Sequence, residues 1–471
     1  MTQNTIEKAN LFIQENQDQI NPFYRPQVHF SAPIGWINDP NGMVYYKGEY
    51  HLFYQHYPYD GVWGPMHWGH AKTKDLINWE HLPVALAPDQ DFDKNGCFSG
   101  SAIVKDDKLW LMYTGNIDNG DGTGRQVQNM AYSTDGIHFE KLASNPVLTG
   151  DDLPDEIVSA DFRDPKLFEH DGRYYAVVAA KHKEDVGCIV LVGSDDLENW
   201  QFESIFLKGQ ANQGFMWECP DYFVLDGHDT LILSPMRYQA EDLSYVNLNS
   251  SVVVKGKVDW DRKVFVADSF QEIDHGHDFY APQTLVDDQG RRVMIAWAHT
   301  WGRNNVTQTL GHKWALSMTF PRQLNWQGDT LVQSPLVALR ESDKGLDQVI
   351  DQATFLKVTD FSEDQDAIFR FGNDTDYLEV RYDAKEKAVY LDRQGLSQDF
   401  GGEETDPIHV RGARIKEDHL DQLDLLIDTN SIEVYVNGGS QVLSSNVYLG
   451  PDTERRLTIE GQGLSFERYE F

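Results

Sequence analysis

The chain has 471 residues, of which 40 are basic and 75 are acidic, so its formal net charge is −35 at pH 7. A negative field of that size repels phosphate backbones and argues against nucleic-acid binding. Hydrophobic residues make up 40% of the chain, which allows a packed core and argues against disorder, and the length favours two domains.

Residues 1–22 predict a short helical segment, because Ile6, Ala9, Phe12 and Ile13 recur roughly at helical spacing. The segment lacks the basic start and long apolar run of a secretory signal. No stretch of the sequence approaches the ~20 apolar residues of a membrane helix. The three cysteines form neither a disulfide framework nor a metal-binding spacing. We therefore expect reduced thiols, no membrane association and a cytoplasmic location.

Residues 23–330 carry a pattern of short strands that repeats five times. Runs rich in Val, Ile, Tyr, Phe and Trp alternate with Gly, Asp and Asn turns, which is typical of an all-β fold. Each unit has a polar opening motif, a short strand, a tight turn and a second strand, and the openings recur about every 60 residues. The five opening motifs are Asn38-Asp39-Pro40, Phe98-Ser99-Gly100, Arg163-Asp164-Pro165, Glu218-Cys219-Pro220 and Asp278-Phe279-Tyr280.

Five tandem β units of about four strands each predict a five-bladed β-propeller. In such a ring the innermost strands start near a central channel, so we expect the five opening motifs to cluster at one mouth of it. The later strands are short and plain, and no opening motif recurs among them. We therefore predict a separate C-terminal β-sandwich over residues 345–471.

Three opening motifs place a carboxylate at nearly the same position, namely Asp39, Asp164 and Glu218, and a fourth contains Asp278. Carboxylates that converge with tryptophan rings in a pocket are what cleavage of a glycosidic bond requires. One protonates the leaving oxygen, and another attacks or stabilises an oxocarbenium-like centre. Cys219 is interpreted as a packing residue, because no His and Asn constellation supports a thiol nucleophile.

The motifs resemble those of glycoside hydrolase family 32 over nearly the whole chain. The resemblance rests on Trp36 to Gly42, Phe53-Tyr54-Gln55, Trp63 to His70, Phe98 to Ser101, Arg163-Asp164-Pro165, Glu218-Cys219-Pro220 and Asp278 to Ala281. It implies a five-bladed propeller followed by a β-sandwich, in agreement with the repeat count. It also implies a retaining β-fructofuranosidase that forms a covalent fructosyl-enzyme intermediate and needs no cofactor and no metal.

The resemblance further implies a role for each acid. Asp39 is the expected nucleophile, Glu218 is the expected acid/base, and Asp164 is expected to hold fructose hydroxyls and stabilise the transition state. The residues expected to contact the sugar are Asn38, Gln55, Trp63, Phe98, Ser99, Arg163 and Trp301.

The substrate stays open between sucrose 6-phosphate, sucrose and short fructo-oligosaccharides. A phosphorylated sugar requires local positive charge, and the candidates near the ends of the predicted inner strands are Lys181, His182, Arg237 and Arg303. Two other functions are alternatives: an inverting propeller hydrolase of arabinan or xylan, and a non-catalytic sugar-binding propeller. The C-terminal sandwich argues against the first, and the three intact acids argue against the second. The sequence does not indicate which oligomeric state the protein adopts.

Overall fold

The structure is a computed structural model that describes residues 4–121, 123–336, 339–342, 349–402 and 409–471. Helix α1 spans Ile6–Asn16 and is capped by Thr5, whose hydroxyl accepts a hydrogen bond from the backbone N–H of Lys8. The other helical pieces are short: the 3₁₀ turns Gln17–Gln19, Gly150–Asp152 and Ala211–Gln213, and α2 over Val306–Thr309. None of the described helices is long and apolar enough to cross a membrane. The predicted all-β class is confirmed.

Each of the first three sheets contains four antiparallel strands in chain order, and the first sheet also takes up a fifth, parallel strand from later in the chain. The first contains β1 (Gly35–Tyr46), β2 (Glu49–Tyr57), β3 (His67–Thr73) and β4 (Glu80–Leu86). The second contains β5 (Cys97–Lys105), β6 (Lys108–Asp118), β7 (Gly124–Ser133) and β8 (Glu140–Lys141). The third contains β9 (Ile157–His170), β10 (Arg173–His182), β11 (Val186–Ser194) and β12 (Gln201–Lys208).

Two more four-stranded antiparallel sheets follow. The fourth contains β13 (Met216–Leu225), β14 (His228–Met236), β15 (Val252–Asp259) and β16 (Val264–Glu272). The fifth contains β17 (Tyr280–Val286), β18 (Arg292–Trp297), β20 (Arg322–Gln327) and β21 (Thr330–Pro335). Between β18 and β20, the short strand β19 (Trp314–Ala315) returns to the first sheet and pairs in parallel with β1.

The first strands of the five sheets contact one another in a closed order. Strand β1 contacts β5, β5 contacts β9, β9 contacts β13, β13 contacts β17, and β17 contacts β1. The strands that carry or directly follow the opening motifs therefore surround a common centre. Residues that are far apart in the sequence are brought together there.

Each first strand has a break in its pairing register at or just after its opening motif. The breaks lie between Ile37 and Pro40, Phe98 and Gly100, Arg163 and Lys166, Glu218 and Asp221, and Tyr280 and Gln283. Such β-bulges bend a strand and re-aim its side chains. Three non-glycine residues at these breaks, Asp164, Cys219 and Ala281, have φ of 61°, 46° and 51°, in the left-handed region that such residues seldom occupy.

The C-terminal residues form two further antiparallel sheets. The larger contains β22 (Arg340–Glu341), β23 (Thr354–Thr359), β28 (Gln422–Ile427), β29 (Ser431–Val436), β30 (Gln441–Asn446) and β32 (Ser465–Glu470). The smaller contains β24 (Ala367–Gly372), β25 (Tyr377–Asp383), β26 (Ala388–Asp392), β27 (Val410–Arg414) and β31 (Leu457–Glu460). Side chains of both sheets, among them Phe369, Val380, Leu425 and Val434, share one core. The predicted domain start at residue 345 lies outside the described residues.

Buried ion pairs join the C-terminal sheets to the preceding five. Arg322 on β20 is fully buried and donates hydrogen bonds to Glu433 on β29 at 2.9 Å and to Asp274 at 3.0 Å. The His29 imidazole lies between Asp428 at 2.8 Å and Glu433 at 3.2 Å. Removing one partner of a buried ion pair strands the other charge, which costs about 3–5 kcal/mol. The two groups of sheets are therefore held in one specific arrangement.

Candidate active site

A pocket of about 250 Å³ opens where the first strands meet. It is lined by Asn38, Asp39, Gln55, Trp63, Phe98, Ser99, Arg163, Asp164, Glu218, Met236 and Trp301. Every residue that the sequence predicted for the site is among them, and Met236 is the one addition. The structure therefore brings all the predicted site residues together in a single cavity.

Residues of the first four opening motifs line this pocket, whereas the fifth motif lines none of it and contacts the site through the Tyr280 hydroxyl, which lies 2.7 Å from Glu218. Asp278 was expected among the clustered openings, but it is buried against Arg393 at 2.8 Å and Arg303 at 3.2 Å and does not line the cavity. Arg393 belongs to the C-terminal unit, which is formed by the last two sheets. The Asp278 carboxylate therefore links this unit to the five preceding sheets. The expectation that all five openings cluster at one site is wrong for Asp278.

Asp39 is buried at the bottom of a small network of hydrogen-bond donors. Its Oδ2 accepts a hydrogen bond from the Ser99 hydroxyl at 2.5 Å, and its Oδ1 accepts one from the Asn38 amide at 3.0 Å. Burial raises the pKa of Asp39, the two donors lower it, and the nearby charge of Glu218 raises it again, with a raised pKa as the net result. The donors hold the carboxylate in a fixed orientation.

Asp164 and Asp39 both lie beside Cys219. The backbone N–H of Cys219 donates to Asp164 Oδ2 at 3.0 Å. The Cys219 sulfur is 3.5 Å from Asp39 Oδ2 and 3.6 Å from Asp164 Oδ2. Burial raises the pKa of Asp164 to about 7, with Arg163 opposing the shift and the charges of Glu218 and Asp39 adding to it.

The Cys219 thiol contacts both aspartates and is more than a packing residue. Burial, together with the charges of Asp164, Asp39 and Glu218, raises the pKa of this thiol well above its ordinary value. A thiol in that environment stays protonated and is a poor nucleophile. It can instead donate its weak hydrogen bond to a neighbouring carboxylate.

Glu218 is held by a cation on one oxygen and by a phenol on the other. Arg163 donates from Nε at 3.0 Å and from Nη2 at 2.9 Å, both to Oε1. The Tyr280 hydroxyl lies 2.7 Å from Oε2 and 3.0 Å from the carbonyl oxygen of Ser234. The apolar sequence neighbours of Glu218 therefore do not surround its carboxylate, which faces polar partners and the open pocket.

Aromatic rings form the walls of the pocket. The Trp63 side chain is 47% exposed and meets Phe98 edge-to-face at 6.1 Å between ring centroids. The Trp301 ring stacks near Trp36, with centroids 6.2 Å apart and planes inclined by 19°. Rings of this kind present flat apolar surfaces on which the C–H faces of a sugar can rest.

The histidines near the site make local hydrogen bonds. His67 Nδ1 lies 3.0 Å from the Pro65 carbonyl oxygen, and His70 Nε2 lies 3.0 Å from His51 Nδ1. Across the described residues, no cluster of three or more His, Cys, Asp or Glu side chains is arranged to hold a metal ion. The donors around the pocket are side chains suited to hydrogen-bonding a sugar.

Comparison with known proteins identifies the family. The model of the glycosyl hydrolases family 32 N-terminal domain matches residues 29–335, and that of the family 32 C terminal matches residues 337–468. The chain belongs to glycosyl hydrolase family 32. It is a glycoside hydrolase of the β-fructofuranosidase type, as the resemblance of its motifs implied.

Relatives of known name agree with this family assignment. Sucrose-6-phosphate hydrolase of Bacillus subtilis is 37% identical, over 94% of this chain and 92% of its own. Raffinose invertase of Escherichia coli is 35% identical, over 92% of this chain and 91% of its own. A variant of the Bombyx mori β-fructofuranosidase, solved in complex with sucrose, is 33% identical, covers 99% of this chain and 97% of its own, and superposes with a TM-score of 0.86.

Two residues at the site were missed by the sequence reasoning: Met236, which lines the pocket, and Tyr280, which does not line it but contacts Glu218. Met236 lies at the end of β14, opposite Met216 in the β13–β14 pairing, where no motif marks it. Tyr280 directly follows the fifth opening motif's Phe279, so its position in that motif was a usable sign. The register break after Tyr280 re-aims its hydroxyl towards Glu218, and the sequence does not reveal that break.

The raised pKa of Asp164 predicts a pH-dependent cost to stability. A carboxyl whose pKa is higher in the folded than in the unfolded state makes stability fall as pH rises between the two values, here from about 4 to about 7. The slope for one such group is at most about 1.4 kcal/mol per pH unit. We expect Asp164→Asn to flatten this part of the curve, measured by urea unfolding at several pH values.

The control for this measurement is Asp171→Asn, because Asp171 is exposed in the β9–β10 turn. Its curve should run parallel to that of the unsubstituted protein. Parallel curves for the Asp164→Asn variant and the unsubstituted protein would show that the Asp164 pKa is not raised.

Proposed function

We propose that this chain hydrolyses the β-fructofuranosyl bond of sucrose 6-phosphate or sucrose, with Asp39 as nucleophile, Glu218 as acid/base and Asp164 as the stabilising acid. The observation that carries the proposal is the meeting of three carboxylates, from the first strands of three sheets, in one aromatic-walled pocket. In retaining glycosidases two carboxyl groups act from opposite sides of the scissile bond.

Asp39 suits the role of nucleophile because its orientation is fixed and little of it is exposed to solvent. The Ser99 and Asn38 donors hold its two oxygens, so little reorganisation is needed when an oxygen attacks the anomeric carbon. Burial leaves the carboxylate poorly solvated, which makes it a stronger nucleophile than one in water. Attack forms the C2–O bond of a fructosyl ester and breaks the bond to the leaving sugar.

Glu218 suits the role of acid/base because the Tyr280 hydroxyl can hydrogen-bond it both when it is ionised and when it is protonated. When Glu218 is ionised, the Tyr280 hydroxyl donates to Oε2 at 2.7 Å. When Glu218 carries a proton on Oε2, the same hydroxyl can turn its hydrogen to the Ser234 carbonyl at 3.0 Å and accept from Glu218. A proton can thus leave to the glycosidic oxygen and return from water without stranding a polar group.

Asp164 and the remaining lining residues suit sugar binding. With a pKa raised to about 7, Asp164 can exchange hydrogen bonds with sugar hydroxyls both as the acid and as the carboxylate. The proposed sugar contacts are Asn38, Gln55, Trp63, Phe98, Ser99, Arg163, Met236 and Trp301.

The architecture proposed for this function is a five-bladed propeller over residues 23–330 followed by a β-sandwich over residues 345–471. The closed order of the five first strands supports the propeller. The core shared by the two C-terminal sheets supports the sandwich. Phosphorylated sugars do not cross membranes unaided, so a sucrose 6-phosphate substrate favours a cytoplasmic location.

Arg237 is the candidate cation best placed for a substrate phosphate. Arg303 is engaged with Asp278, Lys181 lies 2.7 Å from Asp185, and His182 is buried. Arg237 is exposed and directly follows Met236, whose side chain lines the pocket. A guanidinium at that rim can pair with a phosphate on the leaving sugar, on the same sheet as Glu218.

Substitution of the two reacting acids tests the chemistry. We expect Asp39→Asn to lower kcat by at least about 10⁴-fold, because no ester can form. Glu218→Gln should lower kcat by about 10²- to 10⁴-fold, because the amide can neither protonate the leaving oxygen nor activate the incoming water. Unaltered turnover in either variant contradicts the assignment.

Substitution of Arg237 tests the substrate. We expect Arg237→Gln to lower kcat/KM for sucrose 6-phosphate by about tenfold through loss of a charge-assisted hydrogen bond, with less than about a twofold change for sucrose. Arg262→Gln is the matched control, since Arg262 is 74% exposed in the turn at the far end of the same sheet. An equal loss of kcat/KM on both sugars would rule out a contact between Arg237 and the phosphate. A higher kcat/KM on 1-kestose than on either sugar would favour fructo-oligosaccharides as the substrate.

A further inference from the structure

The wall of the pocket at Trp301 is built on a segment that leaves the fifth sheet and runs against the C-terminal unit. After β18 ends at Trp297, residues 298–305 form no regular strand or helix. A segment outside the sheets depends for its shape on contacts with its surroundings, which here include both the preceding sheets and the C-terminal unit. The contacts of Trp301 to Asn304 show what supplies them.

The first support is a direct backbone contact with the turn at residues 399–402. The Asn304 N–H donates to the Gly401 carbonyl at 2.7 Å, and Arg303 forms a β-bridge with Gly402. Gly402 has φ of 151°, and a Cβ placed on it would lie 2.1 Å from the Gly302 carbonyl oxygen. Only glycine therefore fits where this turn meets the pocket segment.

The second support is a buried arginine of the C-terminal unit. Arg393 is 1% exposed, donates to Asp278 at 2.8 Å, and lies over the Phe400 ring at 4.2 Å. Asp278 also accepts from Arg303 at 3.2 Å. Arg393 thus ties the turn that contains Phe400 and Gly402 to the carboxylate that holds the pocket segment.

The pocket segment in turn contacts the residues that hold Asp39. The Trp301 ring stacks near Trp36, the Trp36 indole N–H donates to Asn38 Oδ1 at 2.8 Å, and the Asn38 amide donates to Asp39 at 3.0 Å. An unbroken chain of contacts therefore runs from the C-terminal unit to the carboxylate of Asp39.

We propose that the C-terminal unit completes the sugar pocket, with Gly402 and Arg393 as positioning residues that fix Trp301 and, through Trp36 and Asn38, the orientation of Asp39. The inference rests on the proposed function for the identity of the sugar. It assigns the second unit a part in substrate binding, beyond support of the fold. The residues act through Trp301 and do not touch the substrate.

The experiment compares Gly402→Ala with Gly463→Ala in the full chain. A Cβ at Gly402 must displace Gly302 and the pocket segment, whereas one at Gly463, which also has a positive φ of 78°, meets nothing within 4 Å among the described residues. We expect Gly402→Ala to lower kcat/KM on sucrose by about ten- to a hundredfold, mainly through KM, because small displacements of positioning groups are costly. Gly463→Ala should keep the kcat/KM of the unsubstituted protein, and Tm should fall in both variants, because alanine is strained at a positive φ.

A double-mutant cycle with Trp301→Ala separates positioning from stability. If Gly402 acts through Trp301, adding Gly402→Ala to Trp301→Ala should change kcat/KM by less than about twofold. Arg393→Lys, which keeps the charge beside Asp278, should show the same coupling and serves if Gly402→Ala does not fold. Independent effects that multiply, or a lowered Tm with unchanged kcat and KM, overturn the proposal.

Fructose binding by calorimetry distinguishes failure of this inference from failure of the proposed function. The unsubstituted protein should bind fructose and hydrolyse sucrose or sucrose 6-phosphate, and Gly402→Ala should weaken fructose binding by about tenfold. Hydrolysis of neither sugar refutes the proposed function, while the binding comparison still tests the positioning. Equal fructose affinity in Gly402→Ala and Gly463→Ala overturns the inference.

Discussion

The structure depends on holding three acidic side chains close together out of water. Carboxylates in one pocket repel one another, and burial adds to the cost of their charge. The pKa of Asp39 and that of Asp164 are both raised for this reason. Arg163, which donates to Glu218, supplies the cation in the pocket, and the Cys219 thiol lies 3.5 Å from Asp39 Oδ2 and 3.6 Å from Asp164 Oδ2. Grouping these charges lowers the stability of the protein, and the rest of the fold must offset that cost to hold the acids in place.

The bulged first strands are the means by which the fold imposes that crowding. Regular strands would point successive side chains to alternate faces, whereas each break in register lets one opening motif turn its polar residue to the centre. The backbone is left-handed in three of these breaks, at Asp164, Cys219 and Ala281. Ion pairs such as that of Arg322 with Glu433 then fix the ring against the C-terminal unit.

Much of this arrangement could be predicted from the sequence, because the opening motifs repeat and the repeat implies a ring. That reasoning placed Asp39, Ser99, Asp164 and Glu218 together, and they do line one pocket. It was wrong for Asp278, whose partner Arg393 lies 115 residues away in a part of the chain with no motif. Three features depend on packing between residues that are far apart in the chain: the long-range ion pairs, the contact of the Tyr280 hydroxyl with Glu218, and the bridge at Gly402. Local sequence patterns do not encode such packing.

The central claim is that a carboxylate of the protein forms a bond to the anomeric carbon, and trapping the sugar with methanol tests it most directly. Methanol competes with water for the fructosyl intermediate, and the resulting methyl fructofuranoside does not mutarotate, so its configuration records the stereochemistry of transfer. Two displacements predict the methyl β-fructofuranoside by NMR. The α anomer as the first product would contradict a covalent intermediate and with it the role of Asp39.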